Sequence, residues 1–266
     1  MIRPPALAQA AGVALYDASE IAAMRAAGRL AALTLTHLKP HIRPGVATGE
    51  LNALAETFIR SYGAEPTFLN YGADSAGTAF PAAICASLND EAVHGIPTPH
   101  RRLHRGDLLS LDVGVTYGGW VADTGWTYAV GEIDAEAERL LRACESALWA
   151  GIEQARAGRH LGDVGAAIQQ SVEAAGYTVL RELTGHGIGR EMHQPPTVLN
   201  HGRAGAGMRL QPGMTLAIEV AIGAGGWRVS IYADGWTART ADGSLSAHCE
   251  HTIAVTAGPA HILTLI

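Results

Sequence analysis

The sequence predicts an α+β fold in which two similar halves share one sheet. The order helix, helix, strands occurs twice along the 266 residues. The shorter helix of each half also follows one plan, because residues 49–68 and 162–183 both run from an acidic start through a helix to glycine and an extended segment. Apolar residues make up 48% of the chain, which is enough for a sizeable core.

Two helices open the first half. Apolar residues recur with helical spacing over residues 19–38, where Ser19 is the predicted N-cap. The second helix is predicted to begin at Thr48 as N-cap and to end at Gly63. Residues 66–93 follow as irregular structure and short strands.

A hairpin is predicted next. Two β-rich runs at residues 108–115 and 121–130 flank the segment 117–120, whose sequence is Tyr-Gly-Gly-Trp. Glycine accepts the positive φ angles that tight hairpin turns need. The runs are therefore expected to pair as neighbouring antiparallel strands.

The second half repeats the order of the first. Amphipathic patterns predict helices at residues 135–157 and 163–175. Strands are predicted at residues 177–183, 214–222, 227–231 and 248–256. We therefore expect halves at about 19–130 and 131–256, inside one domain of residues 17–266 that follows a loose tail at residues 1–16.

Charge and cysteine content narrow the class of protein. The formal charge of -6 is spread without basic runs, which argues against nucleic acid or an anionic membrane as a partner. Apolar stretches are too short for a membrane span. Three cysteines without C-x-x-C spacing fit a reducing compartment, so a cytoplasmic location is expected.

Asp112 and Asp123 lie on the two strands of the predicted hairpin. Asp112 interrupts an apolar run, where burial of an unpaired carboxylate is costly. A turn centred on residues 117–118 makes the two aspartates directly opposed, and a turn centred on residues 118–119 makes them diagonal neighbours. Either register brings the carboxylates together, and a shared divalent cation would offset their repulsion.

Glu219 and Glu250 repeat this anomaly, because each is a carboxylate in the middle of a β-like apolar run. His186 adds an imidazole in a glycine-rich segment where backbone can approach a metal closely. One such aspartate alone is more often a bulge or an edge residue than a ligand. Four together with a histidine favour a site for two ions of manganese, iron, cobalt or zinc.

Five motifs together resemble the type I methionine aminopeptidases of the pita-bread metallopeptidase superfamily, from about Ser19 to the C-terminus. The resemblance implies helices packed on a curved, mostly antiparallel sheet with pseudo-two-fold symmetry. The motifs are SLNDEAVHGIP with His94, SLDVGVTYGGWVADTGWTY with Asp112 and Asp123, TGHGIGREMHQPP with His186 and His193, MTLAIEV with Glu219, and DGWTARTADGSLSAHCEHTIAV with Trp236 and Glu250.

The resemblance also implies a function, namely metal-dependent removal of N-terminal methionine from nascent proteins and peptides. Asp123 and Glu250 would bridge two divalent ions, Asp112 would complete the shell of one ion, and His186 with Glu219 that of the other. A water bridging the ions would be hydroxide near neutral pH and would attack the first peptide bond. The chain is expected to be a monomer that meets nascent polypeptides, including at the ribosome.

Two further roles follow from the resemblance. Glu219 would accept and pass on the proton, while His94 and His193 would steady the peptide carbonyl and amide as catalytic and substrate-binding residues. Polarizable and apolar side chains suited to a methionine thioether form the expected pocket, namely Phe80, Cys85, Met192 and Trp236.

The sequence departs from the family pattern near this pocket. Met192 stands where an aromatic residue is common, and residues 72–79 form a longer loop than expected. These departures bear on the substrate preference. Three alternatives also stay open: an X-Pro aminopeptidase or prolidase, a non-catalytic pita-bread binding protein, and a carboxylate-rich metal-binding protein without peptidase activity.

Overall fold

The structure is a computed structural model that describes residues 12–72 and 78–266. Within them the chain forms four α-helices, a short 3-10 turn at Lys39–His41, and thirteen strands, which confirms the predicted α+β class. The helices are α1 (Ala18–Leu38), α2 (Thr48–Ser61), α3 (Ala135–Gln154) and α4 (Leu161–Ala174). The strands are β1 (Glu65–Pro66), β2 (Cys85–Leu88), β3 (Glu91–Val93), β4 (Leu108–Tyr117), β5 (Trp120–Ala129), β6 (Thr178–Val179), β7 (Thr184–Gly187), β8 (Gln194–Leu199), β9 (Thr215–Gly223), β10 (Val229–Ile231), β11 (Ala238–Thr240), β12 (Ser246–Ala254) and β13 (His261–Ile262).

Two sequence predictions fall partly outside these residues. Residues 1–11 of the expected tail and residues 73–77 of the expected pocket loop are not among the described residues. The end of the tail is described, and its Tyr16 ring meets the Trp120 ring edge to face with centroids 5.1 Å apart. The Tyr16 hydroxyl donates to Oε1 of Gln194 at 3.0 Å, so this residue is attached to the domain.

Both predicted N-caps of the first half are wrong by one or two residues. Asp17 caps α1 instead of Ser19, because its Oδ1 accepts from the backbone N–H groups of Ser19 and Glu20. Ala47 stands at the N-cap of α2, and the hydroxyl of Thr48 donates instead to the carbonyl oxygen of Thr98 at 3.1 Å. An aspartate accepts capping bonds at least as well as serine, which explains the first shift.

The large sheet has the strand order β1-β4-β5-β12-β9-β7-β8, with β2 also paired to β4, β6 to β9 and β13 to β12. Every pair is antiparallel. Strand β8 was not predicted, because prolines at 195 and 196 argue against a strand interior. It lies at the end of the order, where proline costs no ladder bond on the open side.

Each half of the chain packs its helices on its own part of the sheet. One apolar cluster includes Leu51 and Ile59 of α2 with Leu111 of β4, and another includes Leu148 of α3 with Ile218 of β9. Among residues 12–72 and 78–266, none of the helices combines the length and the apolar character needed to cross a membrane.

Threonine hydroxyls join the two halves at the centre of the sheet, where β5 meets β12. The regular pairing there is Cys249 with Trp126. Thr124 donates to the carbonyl oxygen of Glu250 at 2.8 Å, and the backbone N–H of Asp123 donates to Oγ1 of Thr252 at 2.9 Å. These side-chain bonds replace part of a backbone ladder and fix the strands that carry the buried acids.

A second, three-stranded sheet has the order β10-β11-β3. Its strand β3 ends at Val93, so this sheet sets the position of His94. Strands β7 and β11 were also not predicted, because each is short and β7 contains two glycines.

Candidate metal centre

The hairpin of β4 and β5 places Asp112 and Asp123 on one face of the sheet. Asp112 is the Cα partner of Gly125, and Asp123 is the partner of Gly114. The turn is therefore centred on residues 118–119, and the aspartates are diagonal neighbours. Both carboxylates are buried, with exposed fractions of 9% and 4%.

The pairing of β9 with β12 sets Glu219 directly opposite Glu250. His186 on β7 is the Cα partner of Ala217, two residues from Glu219, so both side chains lie on the same face. Nδ1 of His186 lies 2.9 Å from the carbonyl oxygen of Gly187, and Nε2 lies 3.6 Å from Oε1 of Glu219. An N–H donated from Nδ1 to that carbonyl leaves Nε2 free as a ligand atom.

Burial raises the pKa values of all four carboxyl groups. The pKa of Asp123 rises from 3.8 to about 7, and that of Glu219 from 4.5 to about 7, chiefly because the site is shielded from water. Burial followed by the neighbouring acids raises the pKa values of Asp112 and Glu250 well above their ordinary range. Such a cluster holds its negative charge only with a compensating cation.

The ligand atoms fit a divalent ion. One atom each of Asp123, His186 and Glu250 lies within 4.8 Å of the others. Among the described residues, Asp112 Oδ1, Asp123 Oδ1 and Glu250 Oε1 are buried without a hydrogen-bond partner. Buried polar atoms without partners are costly in free energy. Carboxylate oxygens are good ligands for divalent ions, so a bound ion would satisfy these atoms.

His94 and His193 face this cluster from two different segments. The His193 ring lies 4.3 Å from the His186 ring, and its Nδ1 is hydrogen-bonded to the Tyr71 hydroxyl. His94 follows β3 with a positive φ of 59°, and the edge of its ring meets Trp236 at 6.4 Å. Loss of hydration, with a smaller effect from neighbouring histidines, lowers the pKa of His94 to about 4 and also lowers that of His193.

The four predicted pocket residues lie in one apolar cluster beside the acids. The Phe80 and Trp236 rings meet edge to face at 5.3 Å, and Met192 and Cys85 belong to the same cluster. Cys85 is the Cα partner of Asp112, and burial raises the pKa of its thiol well above the ordinary value. The cluster therefore borders the acids directly.

Three residues near the site were missed in the sequence. Phe68 and Tyr71 join the apolar cluster, and no local pattern in this irregular segment indicates them. His248 is 1% exposed, and its Nε2 lies 3.8 Å from Oε2 of Glu219 and 3.9 Å from Oε2 of Glu250. A signal for His248 did exist, because it stands two residues before Glu250 on a strand and so shares its face.

Comparison with known proteins agrees with this geometry. Residues 22–257 match the model of metallopeptidase family M24, and the chain belongs to that family. It is 44% identical to a methionine aminopeptidase of Clostridium acetobutylicum, over 95% of this chain and 99% of that protein. The crystal structure of methionine aminopeptidase from Rickettsia prowazekii, at 42% identity, superposes with a TM-score of 0.92 and covers 96% of this chain and 100% of that one.

One structural neighbour with a different activity is more distant. An Xaa-Pro dipeptidase from Bacillus anthracis is 25% identical and superposes with a TM-score of 0.74, and the match covers 95% of this chain and 62% of that one. The predicted pita-bread architecture agrees with both structural neighbours.

Proposed function

We propose that the protein removes the N-terminal methionine from peptides and nascent proteins as a two-metal aminopeptidase. The observation that carries the proposal is the cluster of buried Asp112, Asp123, His186 and Glu250 with half-buried Glu219, next to an apolar pocket. The similarity to methionine aminopeptidases over nearly the whole chain supports the same substrate.

The proposed metal ligands divide into three groups. Asp123 and Glu250 would bind both ions, Asp112 would complete the shell of one, and His186 with Glu219 would complete the shell of the other. When bound, two divalent ions supply Lewis acidity that activates water and polarises the peptide carbonyl. We propose cobalt, manganese, iron or zinc, because oxygen and imidazole ligands suit these ions.

Proton transfer and hydrogen bonding to the peptide are assigned to side chains of the protein. Glu219 would accept a proton from the attacking water and deliver it to the leaving amine. His94 and His193 would stay neutral at neutral pH, because the pKa of each is lowered. A neutral imidazole can donate an N–H to the peptide carbonyl or accept one from its amide without burying a charge.

The pocket accounts for the proposed preference for methionine. Phe80, Cys85, Met192 and Trp236 would contact the first side chain of the substrate. Aromatic faces and thioether or thiol sulfur bind a flexible thioether favourably through apolar and polarizable contacts. We further propose that the protein works in the cytoplasm as a monomer on the N-terminal segments of nascent polypeptides, including at the ribosome.

Release of methionine from Met-Ala-Ser tests the proposal. The chelator-treated protein is assayed after separate addition of Mn²⁺, Co²⁺, Fe²⁺ or Zn²⁺, with Leu-Ala-Ser and Ala-Pro-Ala in parallel. We expect metal-dependent cleavage of Met-Ala-Ser alone. Cleavage of Ala-Pro-Ala but not Met-Ala-Ser would favour an X-Pro peptidase, and peptide binding without any cleavage would favour a binding protein.

Variants separate the chemistry from the fold. Glu219→Ala is expected to lower kcat/KM about 100-fold or more, which is the usual effect of losing a group that transfers a proton. Asp112→Asn should lose activity through weaker metal binding. Asp134→Asn is the matched control, because Asp134 caps α3 away from the site and asparagine caps a helix equally well. Parent-like turnover by Glu219→Ala would contradict its assigned role.

A further inference from the structure

His248 is a buried histidine beside the metal centre to which the proposed reaction assigns no role. Its main chain is fixed from two sides, because it pairs with Ala221 of β9 and its N–H donates to Oγ1 of Thr127 at 2.8 Å. Its Nε2 has no hydrogen-bond partner among the described residues although the ring is 1% exposed. A buried polar atom left in this way calls for a functional explanation.

The free nitrogen points at two of the proposed metal ligands. Nε2 lies 3.8 Å from Oε2 of Glu219 and 3.9 Å from Oε2 of Glu250. Both distances exceed a hydrogen bond, but a shift of roughly 1 Å by either carboxylate would form one, since N–H···O bonds measure about 2.9 Å. His248 is therefore in reach of both glutamates, which stand opposite each other on β9 and β12.

Gly125 on the neighbouring strand β5 provides the space for this ring. A Cβ atom added to Gly125 would lie 2.6 Å from Cε1 of His248 and 2.7 Å from its Nδ1. Any larger residue would displace the imidazole, so the glycine and the histidine form one packing unit. Gly125 is also the Cα partner of Asp112, which places this unit against the acid cluster.

We propose that His248 is a positioning residue of the metal centre, whose Nε2–H orients the carboxylates of Glu219 and Glu250 toward the divalent ions. This inference rests on the proposed two-metal function. Hydrogen bonds to the ligand carboxylates fix which oxygens face a metal, and loss of such a bond typically costs about 10- to 100-fold in metal affinity. His248 thus contributes to metal affinity without contacting the substrate.

Calorimetric titration of Mn²⁺ into the chelator-treated full chain tests the role. His248→Phe fills the same space without a donor and should weaken Mn²⁺ binding about 10- to 100-fold. His248→Gln retains an N–H donor at a similar reach and should stay within about threefold of the parent. His251→Phe is the matched control, because His251 is buried on the same strand but is bonded to Thr264 instead.

A second variant pair distinguishes a specific effect on the His248 ring from a general loss of folding. Gly125→Ala should weaken Mn²⁺ binding in the parent but add little in a His248→Ala background, where the added methyl finds space. Parent-like affinity in His248→Phe, or equal losses in His248→Phe and His248→Gln, overturns the proposal. If the parent itself binds no divalent ion and releases no methionine, the proposed function fails as well, so the two failures are distinguishable.

Discussion

Replacement of Asp123 by asparagine should stabilise the metal-free protein while weakening its binding of divalent ions. Burial raises the pKa of Asp123 from 3.8 to about 7, so the ionised group opposes folding when no cation is bound. Because this pKa is higher in the folded than in the unfolded state, the protonated group does not oppose folding below about pH 4. The free energy of unfolding then falls as pH rises from about 4 through 7. The full loss corresponds to about 4 kcal/mol, taking 1.36 kcal/mol per pKa unit.

The expected size therefore depends on pH. Asp123→Asn removes the charge, so its gain in unfolding free energy should grow from under about 2 kcal/mol at pH 5 to about 4 kcal/mol at pH 8.5. For a chain of this size, the larger value corresponds to a Tm increase of roughly 10 °C. The stabilisation that the parent gains from added Mn²⁺ should shrink in the variant, because ligand binding stabilises the folded state by RT ln(1 + [L]/Kd), which falls as Kd rises.

Thermal unfolding followed by circular dichroism measures this effect on chelator-treated parent and variant at both pH values. Asp134→Asn makes the same chemical change at the N-cap of α3 and should leave the Tm nearly unchanged. The reasoning would be refuted if Asp123→Asn had the same Tm as the chelator-treated parent at pH 8.5. It would also be refuted if the Tm difference between them did not increase with pH.

Three further outcomes follow from the same geometry. Metal binding at pH 7 should release protons, because burial raises the pKa values of Asp123 and Glu219 to about 7, and affinity should fall as pH drops below 7. Calorimetry in buffers of different ionisation enthalpy measures both. Gly114→Ala would place a Cβ 2.4 Å from Cε of Met192 and 3.1 Å from Cε1 of Phe68, so these pocket side chains would have to shift. KM for Met-Ala-Ser should therefore rise about tenfold while Mn²⁺ affinity stays constant. Tyr71→Phe removes the hydroxyl that bonds Nδ1 of His193 and should lower kcat/KM about 3- to 10-fold in steady-state assays, without changing Mn²⁺ stoichiometry.

The acid cluster could be predicted from the sequence because strands reveal which side chains share a face. Asp112, Asp123, Glu219 and Glu250 each interrupt an apolar run, and burial of isolated charge is costly enough to make the repetition informative. The hairpin register was left open between two turns. The two glycines decide the register, because Gly118 and Gly119 take φ angles of 59° and 75°. A tight turn with two positive φ angles suits two glycines better than Tyr117 with Gly118.

The surroundings of the cluster could not be predicted in the same way. Phe68 and Tyr71 reach the pocket through an irregular segment whose path depends on packing, with no periodic signal. The contact of His248 with Gly125 depends on the register between β5 and β12, two strands that are distant in sequence. Their regular pairing is Cys249 with Trp126, and threonine side chains supply the other links, so no alternating pattern encodes the register.

The same junction fixes the main chain of the two proposed bridging ligands. Asp123 belongs to the first half and Glu250 to the second. The Thr252 hydroxyl donates to the Asp123 carbonyl at 2.7 Å, and the Thr124 hydroxyl donates to the Glu250 carbonyl at 2.8 Å. Each half alone supplies too few carboxylates for a two-ion site. A complete ligand set therefore forms only when both halves are folded and paired, and ions bound there would in turn hold the halves together.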